Sequence, residues 1–169
     1  MIRLVGAELV AFGSACLGLG AAADLGRRVR RLEAVSAGLE LLERELWERG
    51  SPLPELLDQL AQRTSEPACT LFAQCAQACG RLEQAPFSES WRHLVDSLDG
   101  LPEGGRRALL PLGEVLGRYE AQGQREAIAQ VRAALERERI RAEEEKLRMG
   151  RVYQALGLSG GAFLVILLL

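Results

Sequence analysis

The sequence predicts an all-α fold, an antiparallel helical bundle anchored to a membrane by transmembrane helices at both its N- and C-termini. Three observations carry this. Apolar residues recur at three- and four-residue spacing through the middle of the chain, no segment sustains the period-two alternation of a strand, and uncharged apolar runs occupy both ends. The organisation is a transmembrane anchor over residues 1–26, a cytosolic helical bundle over 27–150 and a second transmembrane helix over 151–169. At 169 residues the chain is long enough for one domain with its own core.

From Leu9 to Ala23 the chain carries no charge for 15 residues, between Glu8 and Asp24. A retained anchor from about Leu4 to Ala23 places Glu8 near an interface, where a charged side chain can reach water. The competing reading is a cleaved signal peptide, with Arg3 as the basic leader and Ala21-Ala22-Ala23 as a small-residue cleavage site, although Glu8 interrupts its apolar stretch. Beyond it, Leu25, Leu32, Val35, Leu39, Leu42 and Leu46 form the stripe of one amphipathic helix, which Gly50 ends.

Ser51 then supplies an N-cap with Pro52 in the first turn, and Leu53, Leu56, Leu57 and Leu60 form the next apolar face. Glu66-Pro67 breaks the run, after which Leu71, Phe72, Cys75, Cys79 and Leu82 mark a third helix. Pro86 punctuates again, with Ser88 as the cap of a helix through Trp91, Leu94, Val95 and Leu98. Gly100 to Gly105 reads as a turn and Leu109 to Tyr119 as a further helix, with Pro111 near its start. Gly123 loosens the link to a last helix that begins near Gln124 and carries Ile128, Val131 and Leu135. The charged stretch from Glu136 to Lys146 reads as a solvated stalk. It leads into Val152–Leu169, 18 residues without charge. Such a run spans about 27 Å as a helix, close to the thickness of a bilayer's hydrocarbon core.

Arg27, Arg28, Arg30 and Arg31 follow the first run, and Lys146, Arg148 and Arg151 precede the second. Positive residues flanking membrane spans stay in the cytoplasm, so the middle of the chain is expected there, with both termini across the membrane. Ser14, Gly18 and Ala22, and likewise Gly157 and Gly161, have the small-residue spacing that lets helix backbones approach closely, on each other or on a partner.

Composition narrows the chemistry. With 21 basic against 23 acidic side chains the net charge is −2, and aromatics make up 5% of the chain, so neither a phosphate-neutralising surface nor a base-stacking platform is expected and nucleic acid is not a predicted partner. Lys146, the only lysine, is followed by Leu147, which is incompatible with a P-loop. His93 is the only histidine, which rules out zinc chemistry that requires two or more. Cys75 and Cys79 lie at i and i+4 with Cys69 upstream, and with His93 they have the composition of a Cys₃His set. Cysteines within an apolar helical stripe behave as small core residues, however. Ser90, His93 and Asp96 are spaced three apart and run along one ridge, whereas a catalytic triad must converge. Glu143, Glu144 and Glu145 read as a solvated face, and Gly157 to Gly161 sits inside an apolar run where a phosphate loop is untenable. No catalytic, cofactor-binding or metal-ligating residue is assigned, and the chain is expected not to be an enzyme.

Several segments in order resemble one family: Leu39-Glu40-Leu41-Leu42-Glu43-Arg44-Glu45-Leu46, Ser51-Pro52-Leu53, Leu71-Phe72, Leu112-Gly113-Glu114-Val115-Leu116-Gly117, Gln124 with Ile128, and Tyr153-Gln154-Ala155-Leu156-Gly157 before the terminal apolar run. Between two membrane segments, this arrangement resembles the stage III sporulation protein AB family of endospore-forming bacteria. The resemblance implies a membrane component of the secretion-like channel complex between mother cell and forespore. Its soluble domain would be similar to the cytoplasmic helical domain of type II secretion and type IV pilus inner-membrane platform proteins. The implied partners are a cytosolic ATPase of the stage III sporulation protein AA type, other membrane proteins of the same complex and membrane lipid, and homo-oligomers are compatible with it. The implied location is the mother-cell membrane around the forespore. After Leu116-Gly117 the family commonly carries a polar Ser-Asp or similar pair where this chain has Tyr119 and Glu120. The alternatives are a membrane-anchored helical scaffold unrelated to sporulation and a signal-peptide-bearing extracytoplasmic helical protein. For a lipoprotein, Phe12 to Cys16 is a poor lipobox, because Gly13 occupies the position that prefers Leu.

Overall fold

Six prolines punctuate the chain, and every one of them stands at the start of a helix. Proline lacks an amide N–H and has a fixed φ, so it breaks a helix interior. In the first turn the missing donor would have had no partner in any case. The computed structural model describes residues 2–49, 52–80, 86–116 and 121–168, and all of its regular structure is helical: α1 (Ile2–Arg49), α2 (Leu53–Arg63), α3 (Ala68–Cys79), α4 (Phe87–Asp96), α5 (Glu103–Leu109), α6 (Leu112–Val115) and α7 (Ala121–Leu168). Pro52, Pro67, Pro86, Pro102 and Pro111 precede α2 to α6 in turn, and Pro54 lies in the first turn of α2. The carbonyls of Pro52, Pro67, Pro86 and Pro102 accept the first intrahelical bonds, from the amides of Leu56, Leu71, Ser90 and Arg106 at 3.0 to 3.3 Å.

The chain divides into two compact units. One comprises Met1–Val29 with Ile140–Leu169, and the other Arg30–Arg139. In the first, both terminal stretches of the sequence are helical, over Ile2 to Val29 and Ile140 to Leu168. Among the described residues no helix is long and apolar enough to cross a membrane. Most of the two uncharged runs, including the small residues Ser14, Gly18, Gly157 and Gly161, lies outside the residues whose side chains are described.

In the second unit, three arginines of α7 make four ion pairs that fix how α1 and α7 run. Arg125 pairs with Glu43 at 3.5 Å, Arg132 with Glu40 at 2.8 Å and Glu43 at 3.0 Å, and Arg139 with Glu33 at 3.6 Å. Numbers rise on one helix as they fall on the other, so the pair is antiparallel as expected. Beside these charges Ile128, Val131 and Leu135 of α7 are buried, as are Leu32, Val35, Leu39 and Leu42 of α1. Against this pair the short helices follow in chain order, α2 on α3, α3 on α4, and α4 on both α5 and α6.

The predicted core stripes are present. Leu56, Leu57 and Leu60 of α2, Leu71, Phe72 and Cys75 of α3, and Trp91, Val95 and Leu98 in and after α4 are all buried, while Leu46, Leu53, Cys79 and Leu94 are half-buried. Among the described residues Trp91 is the largest fully buried side chain; its ring lies 6.0 Å from that of Phe87, and its Nε1 donates to the Leu109 carbonyl at 2.9 Å. That bond satisfies the indole's only donor, without which burial would be costly.

Several boundaries differ from the sequence reading. α4 begins at Phe87 behind Pro86, so Ser88 lies inside the helix and is not its cap. Gly100, at φ +72°, does lie in a turn, but the segment to Gly105 is only partly loop, because Pro102 starts α5 there. The expected helix from Leu109 to Tyr119 is instead the end of α5, a turn at Leu110-Pro111 and the four-residue α6, after which Leu116 is extended. Gly123 is inside α7, which begins at Ala121, and does not loosen a linker. Helix propensity at one glycine costs only about 1 kcal/mol, too little to break a helix whose face is packed. Ser51, Leu82, Gly117, Tyr119 and Glu120 lie outside the described residues.

Gly113 shows what the packing of α6 demands. A Cβ there would lie 2.5 Å from Cδ1 and 2.8 Å from Cγ of Trp91, so the indole and the α6 backbone are in direct contact. Gly113→Ala is expected to destabilise the protein by about 1 to 3 kcal/mol through overpacking. Gly150→Ala in α7, where nothing lies within 4 Å, is expected to be neutral or stabilising by up to about 1 kcal/mol. Denaturant titration of the full chain in detergent, followed by Trp fluorescence and helical circular dichroism, measures both.

Candidate interaction surface

A half-buried guanidinium on α7 and a fully buried carboxylate on α1 organise the polar side of the second unit. Arg132 donates Nη2 to Glu40 Oε2 at 2.8 Å and Nη1 to Glu43 Oε2 at 3.0 Å, a fork onto two carboxylates one turn apart on α1. Two residues after Glu43, on the other side of α1, Glu45 takes a core position at 4% exposure, and Arg63 in the last turn of α2 donates Nη1 to its Oε1 at 2.7 Å. A cation at a helix C-terminus is favoured by the helix dipole, and here the same cation offsets the burial of a carboxylate.

Neither arrangement was identified from sequence alone. The signal was present in the seven-residue repeats Arg125, Arg132 and Arg139 on one helix and Glu33 and Glu40 on the other. The charged stretch from Glu136 is only partly the solvated stalk that its sequence predicts, because its first residues bond across and along helices. Arg139 is 25% exposed and holds Glu136 and Glu33. From Glu143 to Arg148 the side chains are exposed, as a stalk requires.

Between α1 and the turn joining α2 to α3 lies an open groove of about 400 Å³. Its floor is a face of small and apolar residues on α1, namely Ala34, Ala37, Gly38 and Leu41. At Gly38 α3 packs directly on α1, since a Cβ there would stand 2.8 Å from Phe72 Cε2 and 3.1 Å from Ala68 Cβ. The turn residues Arg63, Thr64 and Ser65 form one wall, and Glu40 and Arg44 rise beside the floor. Thr64 Oγ1 donates to the Leu60 carbonyl at 2.8 Å, which turns that hydroxyl towards α2. Arg63 remains 47% exposed while bound to Glu45. Arg44 is exposed and has no ion pair with any described residue.

The residues singled out for chemistry sit elsewhere. His93 and Asp96 are exposed and Ser90 is half-buried along α4, one ridge of one helix. Cys75 is buried, Cys69 and Cys79 are half-buried, and Cys16 is exposed. Burial pushes the Cys75 thiol far up, with the neighbouring Cys79 adding to the shift, and burial also raises Cys79. Cys69 is raised first by its hydrogen bond to Glu66, whose carboxyl is lowered by the same bond and by the Thr70 hydroxyl that donates to it at 2.7 Å. Among the described residues no group of three or more His, Cys, Asp or Glu side chains is placed to hold a metal ion.

These features define an all-α helical protein whose bundle carries a cation-edged apolar groove. Comparison with known proteins then places the chain: the family model for stage III sporulation protein AB matches residues 3–169, and the chain belongs to that family. It is similar to stage III sporulation protein AB of Bacillus subtilis (strain 168), at 24% identity over 172 residues covering 100% of both chains. A solved structure of a stage III sporulation protein AB matches with a TM-score of 0.61 and 24% identity, over 71% of this chain and 96% of that one, which supports the fold.

Two outcomes follow from this geometry. Arg63→Met is expected to cost on the order of 2 kcal/mol, less than for a fully enclosed pair because Arg63 is half in water, and Glu45→Gln in the same chain should recover part of the loss. Thermal unfolding of both variants measures this. In the folded protein at pH 8, alkylation of Cys75 should be far slower than in urea, because a buried thiol with a raised pKa holds almost no thiolate. Mass spectrometry of timed quenches gives the rate at each cysteine.

Proposed function

We propose that this chain is a non-enzymatic platform or assembly component of the channel between mother cell and forespore that endospore formation requires. In this reading it lies in the mother-cell membrane around the forespore, held by helices at both ends. Its helical bundle faces the cytoplasm and docks an ATPase of the stage III sporulation protein AA type, alongside other membrane proteins of the complex. The observation that carries the sporulation role is the family match across residues 3–169. Support for docking rather than bond chemistry comes from Ser90, His93 and Asp96, which lie along one ridge instead of converging, and from the open groove on the bundle. Support for anchoring comes from the uncharged terminal runs Leu9–Ala23 and Val152–Leu169 with their flanking arginines.

A bundle held this way transmits position between a cytosolic partner and the membrane, so anchoring should matter more than any single polar residue on α4. Deletion of Gly157 to Leu169 is expected to abolish heat-resistant spores, while His93→Ala, Ser90→Ala and Asp96→Asn singly leave spore counts near normal. Cysteines introduced at Arg137 should resist an impermeant thiol reagent in intact cells, and one appended after Leu169 should react. A His93→Ala chain that accumulates normally yet blocks sporulation, or nucleotide hydrolysis by the purified chain, would overturn the proposal.

A further inference from the structure

We infer that the groove between α1 and the α2–α3 turn is the docking site for an acidic, apolar-tipped segment of a protein partner, with Arg44 as its charge anchor. The inference rests on the docking function proposed above and specifies where and how the partner is held. Arg44 is exposed and without an ion pair among the described residues, whereas neighbouring acidic side chains are engaged: Glu40 and Glu43 by Arg132, and Glu45 by Arg63. The local charge left for a partner is therefore positive at one edge. Arg63 adds a second guanidinium that is half-exposed although one of its nitrogens is committed to Glu45.

The floor chooses among anions. Ala34, Ala37, Gly38 and Leu41 offer about two turns of small apolar surface in a space of about 400 Å³, room for one or two side chains and not for a polyanionic backbone. The protein as a whole carries a net charge of −2, so nucleic acid is disfavoured. A carboxylate beside an aliphatic or aromatic side chain satisfies both parts of the groove at once. The carboxylate sits between Arg44 and Arg63, and the apolar group covers the alanines. Burying the apolar group supplies affinity, while the charge sets approach and register.

The test uses the full chain in detergent and the cytosolic ATPase of the proposed function as the probe. Arg44→Glu reverses the anchor, Ala37→Trp fills the floor from an exposed position, and Arg137→Glu makes the same charge change on α7 away from the groove. Circular dichroism melting checks that all three fold. The expected result is about a tenfold or greater loss of affinity for Arg44→Glu and for Ala37→Trp, against less than about twofold for Arg137→Glu. Affinity of the parent should fall as salt rises from about 0.1 to 0.5 M. If the parent binds and the two groove variants bind equally well, or if Arg137→Glu loses as much as Arg44→Glu, the groove assignment is wrong and the docking function stands. If the folded parent does not bind the ATPase at all, the docking function fails and this inference falls with it.

Discussion

Val131 and Leu135 of α7 are buried at the level where Arg132 forks onto Glu40 and Glu43 of α1, and this seam sets the frame for the rest of the second unit. The two parts of the seam do different work. Burial of branched side chains provides the favourable free energy, at roughly 25 cal/mol per Å² removed from water. Exposed ion pairs add little, in the range of about 0 to 1 kcal/mol each. A fork to two carboxylates one turn apart nevertheless fits only one register of two antiparallel helices, and shifting α7 by a turn would strand Arg132 against the wrong face. The charges thus select the alignment that the apolar contact stabilises.

With that alignment set, the far side of α1 has to be covered by short helices, and the prolines determine how short. α2 to α6 each start behind a proline and run for 4 to 12 residues, too few to be stable alone, so their stability comes from the packed face. Trp91 connects three of them. It belongs to α4, its N–H ends on the last carbonyl of α5, and its Cβ, Cγ and Cδ1 abut Gly113 of α6. The same economy of small residues shapes the groove. Phe72 closes over Gly38, α3 is drawn in at that point, and Ala34, Ala37 and Leu41 on either side are left facing an opening.

The thiols illustrate how burial removes chemistry. A cysteine triplet within eleven residues, with a histidine fourteen residues on, has the composition of a metal site. In the fold Cys75 faces the core while His93 faces water on a different helix, so the set does not assemble. Serine, histidine and aspartate on α4 fail as a triad for a related geometrical reason, since residues three apart on a helix follow each other along a ridge and cannot meet at one point.

Much of this was legible in the chain itself. The all-α class followed from spacing, the starts of α2, α3 and α4 from Pro52, Pro67 and Pro86, and the buried faces from Leu32-Val35-Leu39-Leu42, Leu56-Leu57-Leu60 and Ile128-Val131-Leu135, because apolar periodicity and proline geometry are local properties. The family likewise could be read from ordered short segments. What only the tertiary structure decided is nonlocal. Glu45 looks like any other acid beside Leu46, and its burial depends on Arg63 arriving from α2, 18 residues later. Arg132 looks like part of a solvated face until Glu40 and Glu43, 92 and 89 residues earlier, are set opposite it. The helix expected from Leu109 to Tyr119 is interrupted at Pro111, and the pieces on either side are held by Trp91 of α4, which donates to the Leu109 carbonyl and abuts Gly113, neither of which a local window contains. The groove exists for the same reason. Its floor is written on α1, but its wall is the α2–α3 turn, and a concave surface forms only when two separated stretches of chain are brought together.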